Sequence, residues 1–351
     1  MSIGLGLIGY GGMGSWHAEM LREKLKDITV EGIWDIREEA RQKAKENGFK
    51  VYSSLDELLG DKNVQLVTIA TPNDWHKPLA KAAFEAGKNV VCEKPVSLCA
   101  ADLQEMTDAS VKAGKLFSVH QNRRWDTDYK MVRSMLESGI IGKPYFIESR
   151  VLGSRRVLFG WRGVKKEGGG MLLDWGVHLI DQLMDMIDEK VVSVGASLQE
   201  VYADEADDNC KVTLTFESGL QALVEVATNC LIMLPRWHIE AKDGTAVIED
   251  WDCNGKIVQI REGSEMEWSD RITYTSAGPT RTMSPRPVQT TLELPLPEVK
   301  ADWCEFYQNI ADVINGKAEL IVRPEQAMRV MKVIDLCFES SKKRCAIPCS
   351  I

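Results

Sequence analysis

Ile3-Gly4-Leu5-Gly6-Leu7-Ile8-Gly9-Tyr10-Gly11-Gly12-Met13-Gly14 runs from a short apolar segment into a glycine-rich turn, and the residues after it place Gly14, Ala18, Leu21 and Leu25 on one helical face. A strand, a G-x-G-x-x-G turn and a helix in that order make the entry to a dinucleotide-binding parallel sheet. Gly9 permits the tight turn, Gly11 lets backbone amides approach a pyrophosphate, and Gly14 allows close packing of helix on sheet. Gly12 and Met13 open the helix, whose N-terminal partial charge favours phosphate. Asp35 ends the next apolar run, Thr29–Trp34, where a carboxylate accepts hydrogen bonds from the adenosine ribose and repels a 2′-phosphate. That favours NAD over NADP, while Arg37 is placed to stack on adenine or to pair with a 2′-phosphate.

Outward from this stretch, further strand candidates at Leu66–Ala70, Asn89–Cys92 and Leu116–His120 alternate with helical segments at Pro78–Ala86 and Ala100–Ala113. Gly87 and Gly114 supply the helix stops. The alternation predicts an α/β fold with a parallel Rossmann sheet over residues 1–122. Beyond that the rhythm changes. Lys143–Gly153, Val191–Tyr202, Lys211–Phe216, Leu220–Ala227, Trp237–Ala241, Thr245–Asp250 and Lys256–Arg261 read as strands, with hairpin signals at Glu217-Ser218-Gly219, Asp243-Gly244 and Asn254-Gly255. Residues 123–351 are therefore expected to form an α+β domain with a large, mostly antiparallel open sheet for substrate binding and oligomerisation. Helices at Ala301–Ile314 and Pro324–Ser341 close the chain and are expected to pack back on the first domain, and Ser276–Pro297, with five prolines, reads as an irregular arm.

The 351 residues carry 43 Lys+Arg against 52 Asp+Glu, a net charge of −9, so there is no basic field to hold a nucleic-acid backbone. No apolar run is long enough to span a bilayer and no leader is apparent, so a cytoplasmic protein is expected. The nine cysteines form no CxxC pair and read as free thiols; Cys345 and Cys349 lack a second ligand pair for a metal.

Two further segments carry chemistry. Glu93-Lys94-Pro95 follows a strand directly, which puts Lys94 at a carboxyl end, where open α/β sheets bind ligands. Gly168-Gly169-Gly170 precedes Asp174, His178 and Asp181, whose spacings of four and three residues predict one helical face. A His beside a carboxylate is a proton acceptor near neutral pH. The same three side chains are also metal-ligand types, but no further ligand cluster accompanies them, and no metal is expected.

Gly9-x-Gly11-x-x-Gly14, Thr71-Pro72-Asn73-x-x-His76, Glu93-Lys94-Pro95 and Gly168-Gly169-Gly170-x-x-x-Asp174-x-Gly176-x-His178-x-x-Asp181 together resemble the Gfo/Idh/MocA family of sugar and cyclitol oxidoreductases over nearly the whole chain. The resemblance implies a Rossmann domain, a C-terminal α+β domain, and a site between them. It implies a catalytic trio of Lys94, Asp174 and His178, with Thr71, Pro72, Asn73, His76 and Glu93 along the nicotinamide half of the cofactor. Trp161 and Arg162 match a pair beside the dinucleotide. Gln121 falls at the domain junction on the cofactor side, and Asn122 and Arg123 on the substrate side. His178 is expected to be the general base, with Lys94 stabilising the alkoxide; Lys94 as the base is the alternative. The implied substrate is a sugar, glycoside or cyclitol: C3 of a glucoside first, an inositol second. Arg123, Arg124, Arg155, Arg156 and Arg162 are candidates to surround the cleft, and Trp161, Trp237 and Trp251 are candidates to stack on a sugar face or an aglycone, although each taken singly reads first as a core residue. From another class, a non-catalytic dinucleotide sensor would keep Gly9, Gly11 and Asp35 without needing Lys94 and His178. The broad sheet predicts a homodimer or homotetramer.

Overall fold

Every residue of β1 (Ile3–Ile8) is buried, because a parallel strand with helices on both faces has no solvent side. The computed structural model describes residues 2–264, 271–282 and 286–351. Among the described residues, β1, β2 (Ile28–Trp34), β3 (Leu66–Ile69), β4 (Asn89–Cys92) and β5 (Phe117–Val119) form an all-parallel sheet in the order β2-β1-β3-β4-β5. The crossovers carry α1 (Gly12–Lys24), α2 (Glu38–Glu46), α3 (Leu55–Gly60), α4 (His76–Glu85) and α5 (Ala100–Ala113). The sequence pattern had not marked α2 and α3. Of the nine residues in α2 only Ala40 and Ala44 are buried, too small an apolar stripe to stand out. Leu5, Leu7, Ile8, Leu66 and Val67 are fully buried, each stabilising the fold by about 1.5–3 kcal/mol relative to exposure.

The second half begins with α6 (Thr127–Ser138), which the sequence reading also missed, and β6 (Pro144–Leu152). A π-helical turn at Leu172–Gly176 leads into α7 (Val177–Met186). Then follow β7 (Val191–Gln199), β8 (Asn209–Phe216), β9 (Gln221–Ala227), β10 (Trp237–Ala241), β11 (Gly244–Ile248), β12 (Gly255–Ile260), β13 (Arg271–Thr275), β14 (Gly278–Thr282), β15 (Thr291–Leu294), α8 (Cys304–Ile314), α9 (Pro324–Lys343) and β16 (Ile347–Pro348). The described strands make a sheet ordered β15-β12-β11-β10-β6-β9-β8-β7-β16, antiparallel except where β6 runs parallel to β9. Ser276–Pro297 is not simply irregular: β14, with Pro279 inside it, pairs with β13, and β15 pairs with β12. Pro285 lies outside the described residues.

Val212, Leu214, Ala222 and Val224 face inward beneath α7 and α9, and the other face of the sheet holds Lys211, Glu225, Arg150 and Glu148 in one chain of ion pairs, with His238 hydrogen-bonded to Glu148 at its end. The last helices return to the first sheet. Tyr307 of α8 hydrogen-bonds Thr68 of β3 at 3.1 Å, Asp335 of α9 accepts from the Ala100 amide at 3.0 Å, and Ser118 of β5 donates to the Val322 carbonyl at 2.8 Å.

Candidate active site

The cleft starts at the glycine turn. Gly9 has φ +95°, and a Cβ on Gly14 would enter the Gly9 carbonyl oxygen, so α1 lies directly on the turn. Gly11 caps α1 without a side chain and nothing lies within 4 Å of a Cβ placed on Gly12, which leaves the first amides of α1 open to a ligand. A cavity of about 790 Å³ runs from here past the ends of β2, β3 and β4. Gly9, Gly11, Gly12, Met13, Asp35 and Arg37 line one end of it; Thr71, Pro72 and Asn73 line the middle. An uncapped helix N-terminus beside a carboxylate and a side-chain-free turn fits a dinucleotide.

Asp35 is not free, as the ribose role requires. Its carboxylate accepts from the Tyr10 amide at 2.7 Å and the Arg37 amide at 2.8 Å, and the Arg37 guanidinium covers it at 3.2 Å. Burial raises the Asp35 carboxyl, and Arg37 with these backbone donors outweighs it, holding the group below its ordinary range. The Arg37 side chain is 61% exposed, so it is able to swing off the carboxylate.

At the other end Glu93, Lys94, Asn122, Arg123, Trp161, Arg162, Asp174 and His178 line the same cavity. Lys94 follows β4 at a cis Lys94–Pro95 bond. Its Nζ donates to the Asp174 carbonyl at 2.7 Å and lies 3.1 Å from Asp174 Oδ1, while Arg162 Nε lies 3.1 Å from Oδ2. Burial raises the Asp174 carboxyl, but the Lys94 and Arg162 charges prevail and hold it down. The imidazole of His178 is buried, its Nδ1 has no partner, and burial followed by the charges of Lys94 and Arg123 holds its pKa well below the ordinary value. His178 is thus neutral near pH 7, with one of its two ring nitrogens an acceptor. Asp174 pairs with Lys94 and Arg162 rather than with the imidazole.

Asp174 and His178 line the cavity, and Asp181, one turn further along α7, does not. Asp181 makes a two-pronged buried ion pair with Arg124 at 2.7 Å, and Arg124 also meets Asp185 at 2.6 Å. This withdraws both Arg124 and Asp181 from any ligand; removing the cation would leave a buried charge at a cost of about 3–5 kcal/mol. It also separates the three side chains considered as metal ligands. Among the described residues, the cluster with metal-ligand composition is His17, Glu93 and His120, closed by its own hydrogen bonds.

Three expected cofactor residues lie behind the wall. Gly14 serves packing, His76 is fully buried with its two ring nitrogens 2.9 and 3.1 Å from the Pro95 and Thr71 carbonyls, and Gln121 is 2% exposed with its Oε1 unpartnered. His76 thus ties the Thr71 loop to the Lys94 loop. Arg155 and Arg156 are exposed, with Arg156 bonded to Asn229. Trp237 is a core residue donating to Asp128; Trp251 instead leans on Trp175, 5.8 Å between centroids. Trp175 had escaped the sequence reading although it directly follows Asp174: it lines the cavity, stacks under Arg123 at 4.1 Å and meets the His178 ring edge-on. All nine cysteines are free, including Cys345 and Cys349.

Asp207 supports the Gly170–Asp174 segment. Gly170 has φ +114°, a Cβ there would strike Asp207 Oδ1, and Asp207 Oδ2 accepts from the Leu172 amide at 2.8 Å. Burial pushes the Asp207 carboxyl up to about 7. The unfolded group loses its proton near pH 4 and the folded one near 7, so this contribution is full below pH 4 and declines as pH rises to 7. Melting temperature should fall over that range by more in the wild type than in Asp207→Asn, with an upper bound of about 4 kcal/mol on the difference; parallel profiles would refute it.

A dinucleotide cradle joined to a buried Lys–Asp–His group defines an oxidoreductase of the Rossmann class. Residues 3–121 match the family model for the oxidoreductase family with an NAD-binding Rossmann fold, and residues 129–247 match that for the GFO/IDH/MocA C-terminal domain. The chain belongs to the Gfo/Idh/MocA family. It is 28% identical over 350 residues to scyllo-inositol 2-dehydrogenase (NADP(+)) IolW of Bacillus subtilis, covering 98% of this chain and 95% of the relative. It is 32% identical over 228 residues to myo-inositol 2-dehydrogenase of Thermotoga maritima, covering 63% of this chain and 67% of that one. A crystal structure of an NAD-binding protein from Listeria innocua superposes with a TM-score of 0.88 at 40% identity, covering 99% of this chain and 97% of the other. No described helix is long and apolar enough to cross a membrane.

Proposed function

We propose that the protein oxidises a secondary ring hydroxyl of a sugar, glycoside or cyclitol, with residues 1–122 binding NAD and residues 123–351 binding substrate. The observation that carries this is the meeting of Lys94, Asp174 and a neutral, acceptor-bearing His178 in the cavity that begins at Gly9–Gly12. His178 takes the hydroxyl proton. Lys94 donates to the same oxygen and stabilises its developing charge, and Asp174, held by Lys94 and Arg162, fixes the ammonium in place. When bound, NAD supplies the hydride acceptor. Asn122 and Arg123 hold the remaining hydroxyls, and Trp175 offers a face for the ring.

Our first choice of substrate is a glucoside oxidised at C3. The named inositol dehydrogenases among the relatives favour an inositol as the second. A panel of glucose, aryl O- and C-glucosides, and myo- and scyllo-inositol with NAD⁺, read by NADH absorbance and mass spectrometry, separates them. A 3-oxo glycoside supports the first and an inosose the second; NAD binding with no polyol turned over leaves the sensor reading.

For the cofactor, Asp35 favours NAD once Arg37 swings out, while Arg37 itself accepts a 2′-phosphate. Arg37→Gln is therefore expected to raise KM for NADP about tenfold, the worth of one exposed charged contact, with KM for NAD within about threefold. Equal changes for both would sink this assignment. The charged outer sheet face is proposed to pair two or four copies, for which light scattering at a monomer mass would be the contrary result.

A further inference from the structure

The resemblance places Glu93 on the nicotinamide side but gives it no task, and the structure buries it in a network that the reaction does not use. His17 Nε2 lies 2.7 Å and His120 Nδ1 2.8 Å from Glu93 Oε1, while Oε2 accepts from the Lys94 amide at 3.1 Å. Behind His17, its Nδ1 is 3.0 Å from the Tyr307 hydroxyl, itself 3.1 Å from Thr68. His17 and His120 are both essentially excluded from solvent. With Glu93 able only to accept, His17 presents Nε2–H to it, so Nδ1 accepts from Tyr307, and Thr68 donates to Tyr307 in turn. Three N–H donors converge on one carboxylate, the arrangement that keeps it ionised.

Asp35 ends β2 on one side of β1, and Glu93 follows β4 on the other. A dinucleotide laid across the glycine turn with its adenosine at Asp35 has its nicotinamide on the Glu93 side. We infer that Glu93, clamped by His17 and His120 and braced by Tyr307, is a fixed negative charge that makes the cleft favour the positively charged, oxidised nicotinamide over the reduced one. The inference rests on the dinucleotide reading of the cleft. A carboxylate in a site shielded from solvent acts on the ring with little screening, so neutralising it changes the relative affinity of the two forms.

The test is the ratio of Kd for NADH to Kd for NAD⁺, measured by calorimetry on folded protein without substrate. Glu93→Gln is expected to lower that ratio by about tenfold or more, chiefly by weakening NAD⁺. Glu93→Asp, which keeps the charge, should leave the ratio within about threefold of the wild type even where both affinities fall. If Glu93→Gln does not fold, His120→Phe replaces it. The ring sits among Trp16, Phe306 and Tyr307, and loss of its donor lets burial push Glu93 toward the neutral form, giving a smaller shift of the same sign. Equal weakening of both forms in these variants would overturn the inference while leaving the dinucleotide reading intact; failure of the wild type to bind either form would overturn both.

Discussion

His178→Ala is expected to lower kcat by about 10²- to 10⁴-fold, the usual worth of a positioned general base, while Kd for NAD⁺ changes by less than about threefold. The imidazole lines the end of the cavity that holds Lys94 and Asp174 and, being neutral, carries one acceptor nitrogen, so its loss is expected to remove a proton acceptor without disturbing the glycine turn. Burial and the Lys94 and Arg123 charges depress its pKa, so the catalytically ready neutral form persists to acid pH. The acid limb of kcat/KM in the wild type should accordingly lie well below the ordinary imidazole range. A variant that retained most of its kcat would transfer the base role to Lys94.

Lys94→Met tests the same group from the other side and carries two signatures. The loss of the ammonium from the developing alkoxide should cost about 10²–10³ in kcat, the scale of a single preorganised donor. It also takes away one of the charges that depress His178, so the imidazole becomes easier to protonate and the acid limb of the profile moves to higher pH. Asp174 loses one of its two cations as well and should titrate upward. An unchanged acid limb would mean that Lys94 does not act electrostatically on His178. If Lys94 were the base, its loss would exceed that of His178→Ala; a double variant no worse than the poorer single one would show that the two act as a unit.

Much of this was legible in the residue order. The period-2 and period-3.6 patterns, the glycine turn and the hairpin dipeptides depend on neighbours a few residues apart, and they place Gly9–Gly14, Asp35, Lys94, Asp174 and His178 on their elements. α2, α3 and α6 escaped because short or mostly polar helices carry little of that signal.

What the sequence alone determined, then, is the order of strands and helices and which side chains stand at the strand ends, since these follow from local sterics and burial periodicity. Tertiary closure decided which polar groups meet. His17 finds Tyr307 across 290 residues, and Arg124 takes Asp181 and Asp185 out of the cleft. Arg37 covers Asp35, and His76 ties two loops from behind. A buried charge or donor must find a partner somewhere, and where that partner lies is fixed by packing between distant segments, which no local pattern records.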